Sequence, residues 1–298
     1  MTVLERNRNA RTGALQSRVS LLLSARPPAL PLPLRTPPPL SDQELLRRAI
    51  CRDFARVALF PRRAHDWNTG PLHAQALGYD VEAFAALPEP AREAFCGVGR
   101  PLAAVGLELT QTRGMTVVDV GCGAGADVLL AAAAVGETGQ VIGVEPAEEM
   151  LQKGRIALKQ SRARNARLER GAAEALPLPN ACADVVLANG VFNALVSDKL
   201  QALREALRVL RPGGLLVLAD VVVEAAAPAA ARANTAAWSA GLLGPVPASE
   251  LSSLAEEAGF TRVSLELGGE PFSGTRQEAA ARAAGARCVL LVAFKEAP

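Results

Sequence analysis

Aromatic and histidine side chains are scarce in this chain of 298 residues. Phe, Trp and Tyr together make up 4% of the sequence, and His65 and His73 are its two histidines. The hydrophobic 50% of the residues is therefore built mainly from Ala, Leu and Val, which is ample for a core. Two histidines also leave few general bases and few nitrogen ligands for a metal.

The cysteines are too few and too scattered to indicate a structural framework. They are Cys51, Cys96, Cys122, Cys182 and Cys288. No two of them form a CxxC pair, so a zinc site is not expected. An odd, widely spaced set fits reduced thiols in a cytosol better than disulfides in a secreted protein. We therefore expect a cytoplasmic protein without a bound metal.

The sequence also lacks a large net charge and long apolar runs. The 32 basic and 30 acidic residues leave a formal charge of +2, and no basic run is interleaved with aromatic residues. Nucleic acid is therefore not expected as a main partner. Apolar runs such as VSLLLSA fall far short of the roughly 18 residues that cross a bilayer, so no membrane span is expected.

Residues 1–40 differ in composition from the rest of the chain. They contain six arginines, one acidic residue and the tract ARPPALPLPLRTPPPL. Prolines remove backbone donors and favour extended, unpacked chain, so we interpret this segment as a disordered extension. An arginine-rich, acid-poor start also resembles an organellar transit peptide, which stays the alternative.

Helical patterns dominate residues 41–111. The stretch SDQELLRRAICRDFARVALF begins with a serine cap, has Glu44 three residues later and then shows apolar positions at helical spacing. Further helices are predicted for DVEAFAAL and within EPAREAFCGVGRPLAAVGL. We expect this segment to form a lid on the substrate side of the following domain.

Strand and helix patterns alternate from residue 112 to 298. The predicted strands are MTVVDVG, QVIGVE, ARLERG, CADVVLANGV, LLVLADVVV, TRVSLEL and CVLLVAFK. Helices with short loops separate most of them, which predicts a doubly wound, mostly parallel seven-stranded Rossmann-like sheet. Residues 114–222 would form its core and 223–298 its C-terminal part. The last two strands lack an obvious crossover helix, so an antiparallel edge is expected, although the second half of their spacer could be helical.

The first strand leads into a glycine loop in VVDVGCGAGAD. Such a loop, followed by a helix, presents backbone amides and the positive end of the helix at the carboxyl edge of a sheet. Gly121, Gly123 and Gly125 allow a tight turn and a close approach of the ligand. The same letters also satisfy the dinucleotide-binding fingerprint, so the loop alone does not identify its ligand.

Three further features separate these two interpretations. Asp119 lies two residues before the first glycine, Glu145 ends the strand VIGVE, and RVLRPGG precedes the fifth strand. Together they resemble a class I S-adenosylmethionine-dependent methyltransferase. GVGRPLAAVGL, GQVIGVEPAEEML, AEALPLP, ANGVFNALVSDK and EALRVLRPGGLLVLADVV are similar to the arsenite methyltransferase-like branch, which borders the quinone C-methyltransferases.

The resemblance implies S-adenosyl-L-methionine as cofactor and a role for individual residues. The three loop glycines would face its methionine part, Glu145 would accept from both ribose hydroxyls, and Asn189 would lie beneath the sulfonium. Asp119 either caps local amides or acts indirectly at the cofactor's amino group. The full expected cofactor-binding set is Asp119, Gly121, Cys122, Gly123, Gly125, Glu145, Pro146, Ala172, Ala173, Glu174 and Asn189.

Two members of this set carry specific alternatives. Relatives often have Asp where Ala172 stands, so recognition of the adenine there is implied through backbone groups. Cys122 lies between two glycines, a position that favours a role as a small packed residue over a role as a nucleophile. No catalytic residue is assigned, because in-line methyl transfer needs alignment, which can contribute on the order of 7–11 kcal/mol.

The methyl acceptor is the open question. The branch implies that cysteine thiolates bind trivalent arsenic, but the matching positions are Val98, Gly190 and Gly241. We therefore expect another small, largely apolar acceptor with a carbon, oxygen or nitrogen nucleophile, and favour a monomer. The alternatives are an arsenite methyltransferase, an NAD(P)-dependent oxidoreductase and an inactive cofactor-binding protein.

Few side chains of the lid and loops are candidates for the acceptor site. The aromatic candidates are Phe54, Trp67, Tyr79, Phe192 and Trp238, and the titratable ones are His65, His73 and Tyr79. An aromatic face near a sulfonium is favourable by roughly 0.5–2 kcal/mol. Core packing remains the simpler role for each aromatic residue, and a surface position the simpler one for each histidine.

Overall fold

The computed structural model describes residues 40–104, 112–195, 198–227, 238, 241 and 243–297. The extension expected at residues 1–40 lies outside these residues, except that Leu40 begins the first helix. Within this part of the chain, no helix combines the length and the apolar character that a bilayer span requires.

A seven-stranded sheet forms the centre of the protein. Its strands are β1 (Thr116–Val120), β2 (Gln140–Glu145), β3 (Ala166–Arg170), β4 (Ala183–Asn189), β5 (Leu210–Val222), β6 (Phe260–Leu267) and β7 (Arg287–Lys295). Their order across the sheet is β3-β2-β1-β4-β5-β7-β6, and β1 to β5 are parallel. The predicted Rossmann-like architecture is confirmed.

The helices occupy the N-terminal segment and the connections between strands. They are α1 (Leu40–Leu59), α2 (Gly70–Ala76), α3 (Val81–Ala85), α4 (Glu89–Glu93), α5 (Pro101–Ala104), α6 (Ala126–Val135), α7 (Glu148–Ser161), α8 (Lys199–Val209), α9 (Ala248–Ala258) and α10 (Glu278–Ala283). A 3-10 turn at Phe192–Ala194 follows β4. The helix α2 was not predicted, because a glycine and a proline begin it.

Apolar packing covers both faces of the sheet. Val118, Val144 and Leu216 belong to the cluster on one face, and Val117 and Leu187 belong to the cluster on the other. Strands buried on both faces read as continuous apolar runs, which is why β1, β4 and β5 show little alternation in the sequence. The burial is therefore visible in the sequence as composition and not as periodicity.

The antiparallel end of the sheet is confirmed. β7 pairs antiparallel with β5 on one side and with the edge strand β6 on the other. The spacer between β6 and β7 contains the short helix α10. Its helical second half, left open by the sequence, is therefore present but only six residues long.

The segment EPAREAFCGVGRPLAAVGL contains two short helices separated by a loop. The helix α4 ends at Glu93 and α5 begins at Pro101. Between them, Gly97 lies directly on Asn189: a Cβ at Gly97 would be 2.4 Å from the Asn189 amide nitrogen. A loop without side-chain bulk is required where it approaches the end of β4 so closely.

Candidate functional site

A cleft lies at the carboxyl edge of the sheet, where β1, β2 and β4 end side by side. Val120 is paired with Val144 on one side and with Ala188 on the other. The strand order reverses between β1 and β4, which is the position where open α/β sheets bind ligands. The glycine loop, Glu145 and Asn189 therefore surround one crevice.

The glycine loop turns sharply out of β1. Gly121 has a φ of +70°, and its N–H donates to the Val144 carbonyl at 2.7 Å. A Cβ at this position would be 2.4 Å from a methyl group of Val191. Glycine is thus required at residue 121 both by the backbone conformation and by the space available.

Glu145 is buried and fastens the glycine loop to β2. One carboxylate oxygen accepts from the Gly123 N–H at 3.0 Å, and the other accepts from the Ala147 N–H at 2.9 Å. Burial raises the pKa of Glu145 to about 7, while these two donors oppose the rise. A carboxylate offers about four lone-pair sites, so Glu145 can still accept from two hydroxyl groups.

A cavity of about 150 Å³ extends from Glu145 beneath α1. The predicted site residues that line it are Gly121, Gly123, Glu145, Pro146, Ala172, Ala173, Glu174 and Asn189. Gly125 begins α6, and its missing side chain faces Leu158 and Leu168 in the core. The structure thus brings most of the predicted set together but places Gly125 away from this cavity.

The helix α1 lies across the cavity and covers it. Its inner face consists of Arg47, Ile50, Cys51 and Phe54, all of which line the cavity. Arg47 forms an ion pair of 3.0 Å with Glu174 on the opposite rim. Both ends of α1 are packed: Leu46 lies in a cluster with Trp238, and Val57 lies in a cluster with Met150.

A small recess of about 40 Å³ continues from the cavity behind the glycine loop. Asp119 and Asp127 line it, and each is no more than 5% exposed. Burial raises the pKa of both, and the repulsion between them raises that of Asp119 further. Within the part of the chain that the structure describes, the pKa values of Asp119, Asp127 and Glu145 are shifted by burial, by neighbouring carboxylates and by hydrogen-bond donors, and not by a basic side chain. The recess therefore suits a small cationic group.

Asn189 lies at the end of β4. It lines the cavity, but its side-chain amide is occupied by the lid and by Asp127. Its oxygen accepts from the Val98 N–H at 2.8 Å, and its nitrogen donates to Asp127 at 2.9 Å. Both ends of the Asn189 amide therefore have partners within the protein.

Only one of the five aromatic candidates lines the main cavity. That residue is Phe54, which packs on Trp67 with a centroid distance of 5.2 Å. Phe192 and Trp238 are buried in apolar clusters, in agreement with the packing alternative. Cys122 also packs: its sulfur occupies the space where a Cβ on Gly143 would lie.

The titratable candidates are engaged in structural contacts. His65 contacts the Phe60 carbonyl, and His73 contacts the Gly97 carbonyl at 2.7 Å. Burial lowers the pKa of His73, which keeps its ring neutral. Burial beside Asp127 raises the pKa of Tyr79, whose hydroxyl donates to Asp127 at 2.8 Å. None of the three lines the main cavity in the part of the chain that the structure describes.

Asp220 supports the turn that follows β4, at one side of the cavity. This buried carboxylate, near the end of β5, accepts from the N–H groups of Val191, Phe192, Asn193 and Val221. Burial raises its pKa to about 6, and its backbone donors oppose the rise. The contacts hold the turn after β4 against the end of the neighbouring strand. The sequence analysis did not single out this residue.

The sheet order, the glycine loop after β1 and the acidic end of β2 define the class I methyltransferase architecture. The chain belongs to the methyltransferase family: the family described as "Methyltransferase domain" matches residues 111–267, which is more than half of its length. The resemblance drawn from the sequence motifs is thereby confirmed.

Two relatives illustrate the similarity. An arsenite methyltransferase from Halobacterium salinarum is 33% identical over 192 residues, covering 64% of this chain and 48% of the relative. A demethylmenaquinone methyltransferase from Listeria welshimeri is 38% identical over 109 residues, 36% of this chain and 45% of the relative. The chain thus spans about half the length of these relatives.

A solved structure is similar over a larger share of the chain. It is the arsenic(III) S-adenosylmethionine methyltransferase from Chlamydomonas reinhardtii, with a TM-score of 0.58 and 26% identity. The match covers 78% of this chain and 75% of that one.

Proposed function

We propose that this protein transfers the methyl group of S-adenosylmethionine to a small, largely apolar acceptor. Residues 112–298 would bind the cofactor, and residues 41–111 would form the lid over the acceptor. Pro146 and the backbone of Ala172 and Ala173 would enclose the adenine, and Glu145 would accept from the ribose hydroxyls. The proposal includes a cytoplasmic monomer that acts without nucleic acid.

The buried carboxylates in the recess carry this proposal. A dinucleotide places an anionic pyrophosphate at a glycine loop of this kind. Among the described residues, Asp119 and Asp127 have no basic partner behind that loop, so in their ionised form they would repel a pyrophosphate. The ammonium group of S-adenosylmethionine would instead relieve the repulsion between them. This charge distribution favours the methyl donor over a nicotinamide cofactor.

Thermal unfolding with matched ligands tests the cofactor. S-Adenosylhomocysteine at about 100 times its Kd is expected to stabilise the protein by about 2.7 kcal/mol. 5′-Methylthioadenosine, which lacks the amino-acid end, is expected to stabilise it less. NAD is expected to leave Tm unchanged. Stabilisation by NAD together with none by S-adenosylhomocysteine would overturn the proposal in favour of an oxidoreductase.

Cofactor affinity is expected to fall as pH decreases from 8 to 6. Ribose hydroxyls donate to the ionised form of Glu145, whose pKa in the free protein is about 7. The ligand therefore lowers this pKa, and affinity is lost as the carboxyl becomes protonated. One pH unit below the pKa, roughly a tenth of the carboxylate remains, so Kd should rise about tenfold.

Calorimetric titration of S-adenosylhomocysteine at pH 6, 7 and 8 measures this effect. Asp119 and Asp127 also have raised pKa values and would act in the same direction. Glu145→Gln isolates the contribution of Glu145, because the remaining pH dependence then belongs to the other carboxylates. An equal Kd at pH 6 and pH 8 in the unsubstituted protein would contradict the assignment of Glu145.

The chemistry of the cavity also limits the acceptor. Its titratable lining residues are Arg47, Cys51, Cys96, Glu145 and Glu174. Arg47 and Glu174 are paired, and burial raises the pKa of Cys96 to about 12, which keeps its thiol protonated. We infer an acceptor that is already nucleophilic at neutral pH and needs no base from the protein.

Arsenite remains the second candidate because of the named relatives. Val98 and Gly190 are adjacent, as the resemblance requires: a Cβ on Gly190 would be 3.5 Å from a Val98 methyl group. Neither provides a thiol, although Cys51 and Cys96 line the same cavity. A panel of quinones, phenols, amines and arsenite with labelled methyl donor separates the candidates. Cofactor binding without any methylated product would favour the inactive alternative.

A further inference from the structure

The loop Gly97–Gly99 forms a roof between the lid and the ends of the parallel strands. Gly97 lines the recess that holds Asp119 and Asp127, while Val98 faces Gly190 beside the main cavity. Cys96, directly before the loop, lines both cavities. The position of this loop therefore decides whether the recess is closed to solvent.

The side-chain amide of Asn189 attaches the loop to the sheet by hydrogen bonds. The oxygen of Asn189 accepts from the N–H groups of Val98 at 2.8 Å and Gly99 at 3.2 Å. Its nitrogen donates to the Gly99 carbonyl at 3.0 Å. Three of the loop's backbone groups thus depend on Asn189.

The orientation of this amide is itself determined by two further residues. Asp127, in the first turn of α6, accepts from the Asn189 nitrogen at 2.9 Å and from the Tyr79 hydroxyl at 2.8 Å. The Tyr79 hydroxyl also lies 3.1 Å from the Gly99 carbonyl. An amide can be flipped by 180°, and a carboxylate acceptor on one side fixes which of its ends is the donor.

We propose that Tyr79 and Asp127 are positioning residues that orient Asn189, and that Asn189 in turn holds the Gly97–Gly99 loop closed over the recess. Tyr79 comes from the lid, Asp127 from α6 and Asn189 from β4, so the cluster joins three separate parts of the chain. His73 also contacts the Gly97 carbonyl, and none of these contacts with the loop depends on a ligand. The effect of loop closure on methyl transfer, through alignment of the methionine end, rests on the proposed function.

The thiol of Cys96 reports loop closure without any methyl acceptor. It is partly buried in the closed protein, and its raised pKa makes it slow to react. Cys288, on β7, is also partly buried and serves as the reference for global unfolding. Alkylation by N-ethylmaleimide, followed by mass spectrometry of the peptides, measures the ratio of the Cys96 rate to the Cys288 rate in the full-length protein.

Two substitutions in the cluster are expected to raise this ratio. Tyr79→Phe removes the hydroxyl that donates to Asp127, and we expect an increase of about tenfold. Asn189→Asp keeps an acceptor for Val98 and Gly99 but loses the donor and sets a second carboxylate against Asp127. We expect about a hundredfold increase for this variant.

Asn165→Asp is the matched control. The Asn165 amide donates to the carbonyls of Ala132 and Gly136, at the opposite edge of the sheet. Its substitution is expected to leave the ratio within about twofold of the unsubstituted protein. An unchanged ratio in Tyr79→Phe, or an equal rise in Asn165→Asp, overturns the proposal.

If Asn189→Asp unfolds, both thiols react at the same rate and Tyr79→Phe decides the result. If the unsubstituted protein shows the expected loop closure but does not bind S-adenosylhomocysteine, the proposed function is contradicted and the role of Tyr79 and Asp127 is not.

Discussion

Replacing Glu145 by glutamine is expected to weaken S-adenosylhomocysteine binding roughly 30-fold at pH 8. Each carboxylate oxygen of Glu145 already accepts one backbone N–H, from Gly123 or from Ala147. Glutamine has one acceptor oxygen, so its amide group must face one of these two donors. The ligand also loses a charged acceptor, and a hydrogen bond to a charged group contributes about 1.5–3 kcal/mol.

The stability of the unliganded Glu145→Gln protein is expected to change much less than its affinity. Removing a buried charge is favourable, and this offsets the loss of one backbone hydrogen bond. Calorimetry therefore separates a binding role from a purely structural one. Glu148→Gln, three residues along the chain, is the matched control and should bind normally, because Glu148 is partly exposed and paired with Arg155. An unaltered Kd in Glu145→Gln would show that the ribose lies elsewhere.

Replacing Asp220 by asparagine is expected to lower the free energy of unfolding by about 3 kcal/mol. One oxygen of Asp220 accepts from Val191 and Phe192, and the other accepts from Asn193 and Val221. The amide group of asparagine would face two of these buried N–H groups without accepting from them. Each unsatisfied buried donor costs about 1–3 kcal/mol.

Urea unfolding at pH 8 measures this loss of stability. Asp198→Asn is the matched control, because Asp198 caps α8 through the Leu200 N–H, and asparagine caps a helix about as well as aspartate. The control should differ from the unsubstituted protein by only a few tenths of a kcal/mol. Equal stabilities for the two variants would show that the turn after β4 does not depend on Asp220.

The strands and the carboxyl edge of the sheet could be predicted because their sequence signals are local. QVIGVE is the strand β2 with the predicted bounds, and ADVLLAAAAV is the helix α6. Once alternating elements predict a parallel sheet, the carboxyl ends of its strands must share one edge. Glu145 could therefore be placed beside the glycine loop from its position at a strand end.

The lid residues could not be assigned in the same way. Arg47, Ile50, Cys51 and Phe54 follow helical spacing, but that spacing shows only that they share a face. What this face covers depends on how α1 crosses the sheet domain. Asp127 was overlooked because an acidic residue in the first turn of a helix is common for local reasons. Its contacts with Tyr79 and Asn189 lie far apart in the sequence.

By itself, the sequence determined the sheet, the glycine loop and the acidic residue that ends β2, because each depends on neighbouring residues along the chain. The tertiary structure decided the properties of the site. Within the described residues, it buries Asp119, Asp127 and Glu145 together without a basic partner, and it turns the Asn189 amide toward the lid loop. Both features arise from contacts between distant segments, and no local pattern records which distant groups will share a buried space.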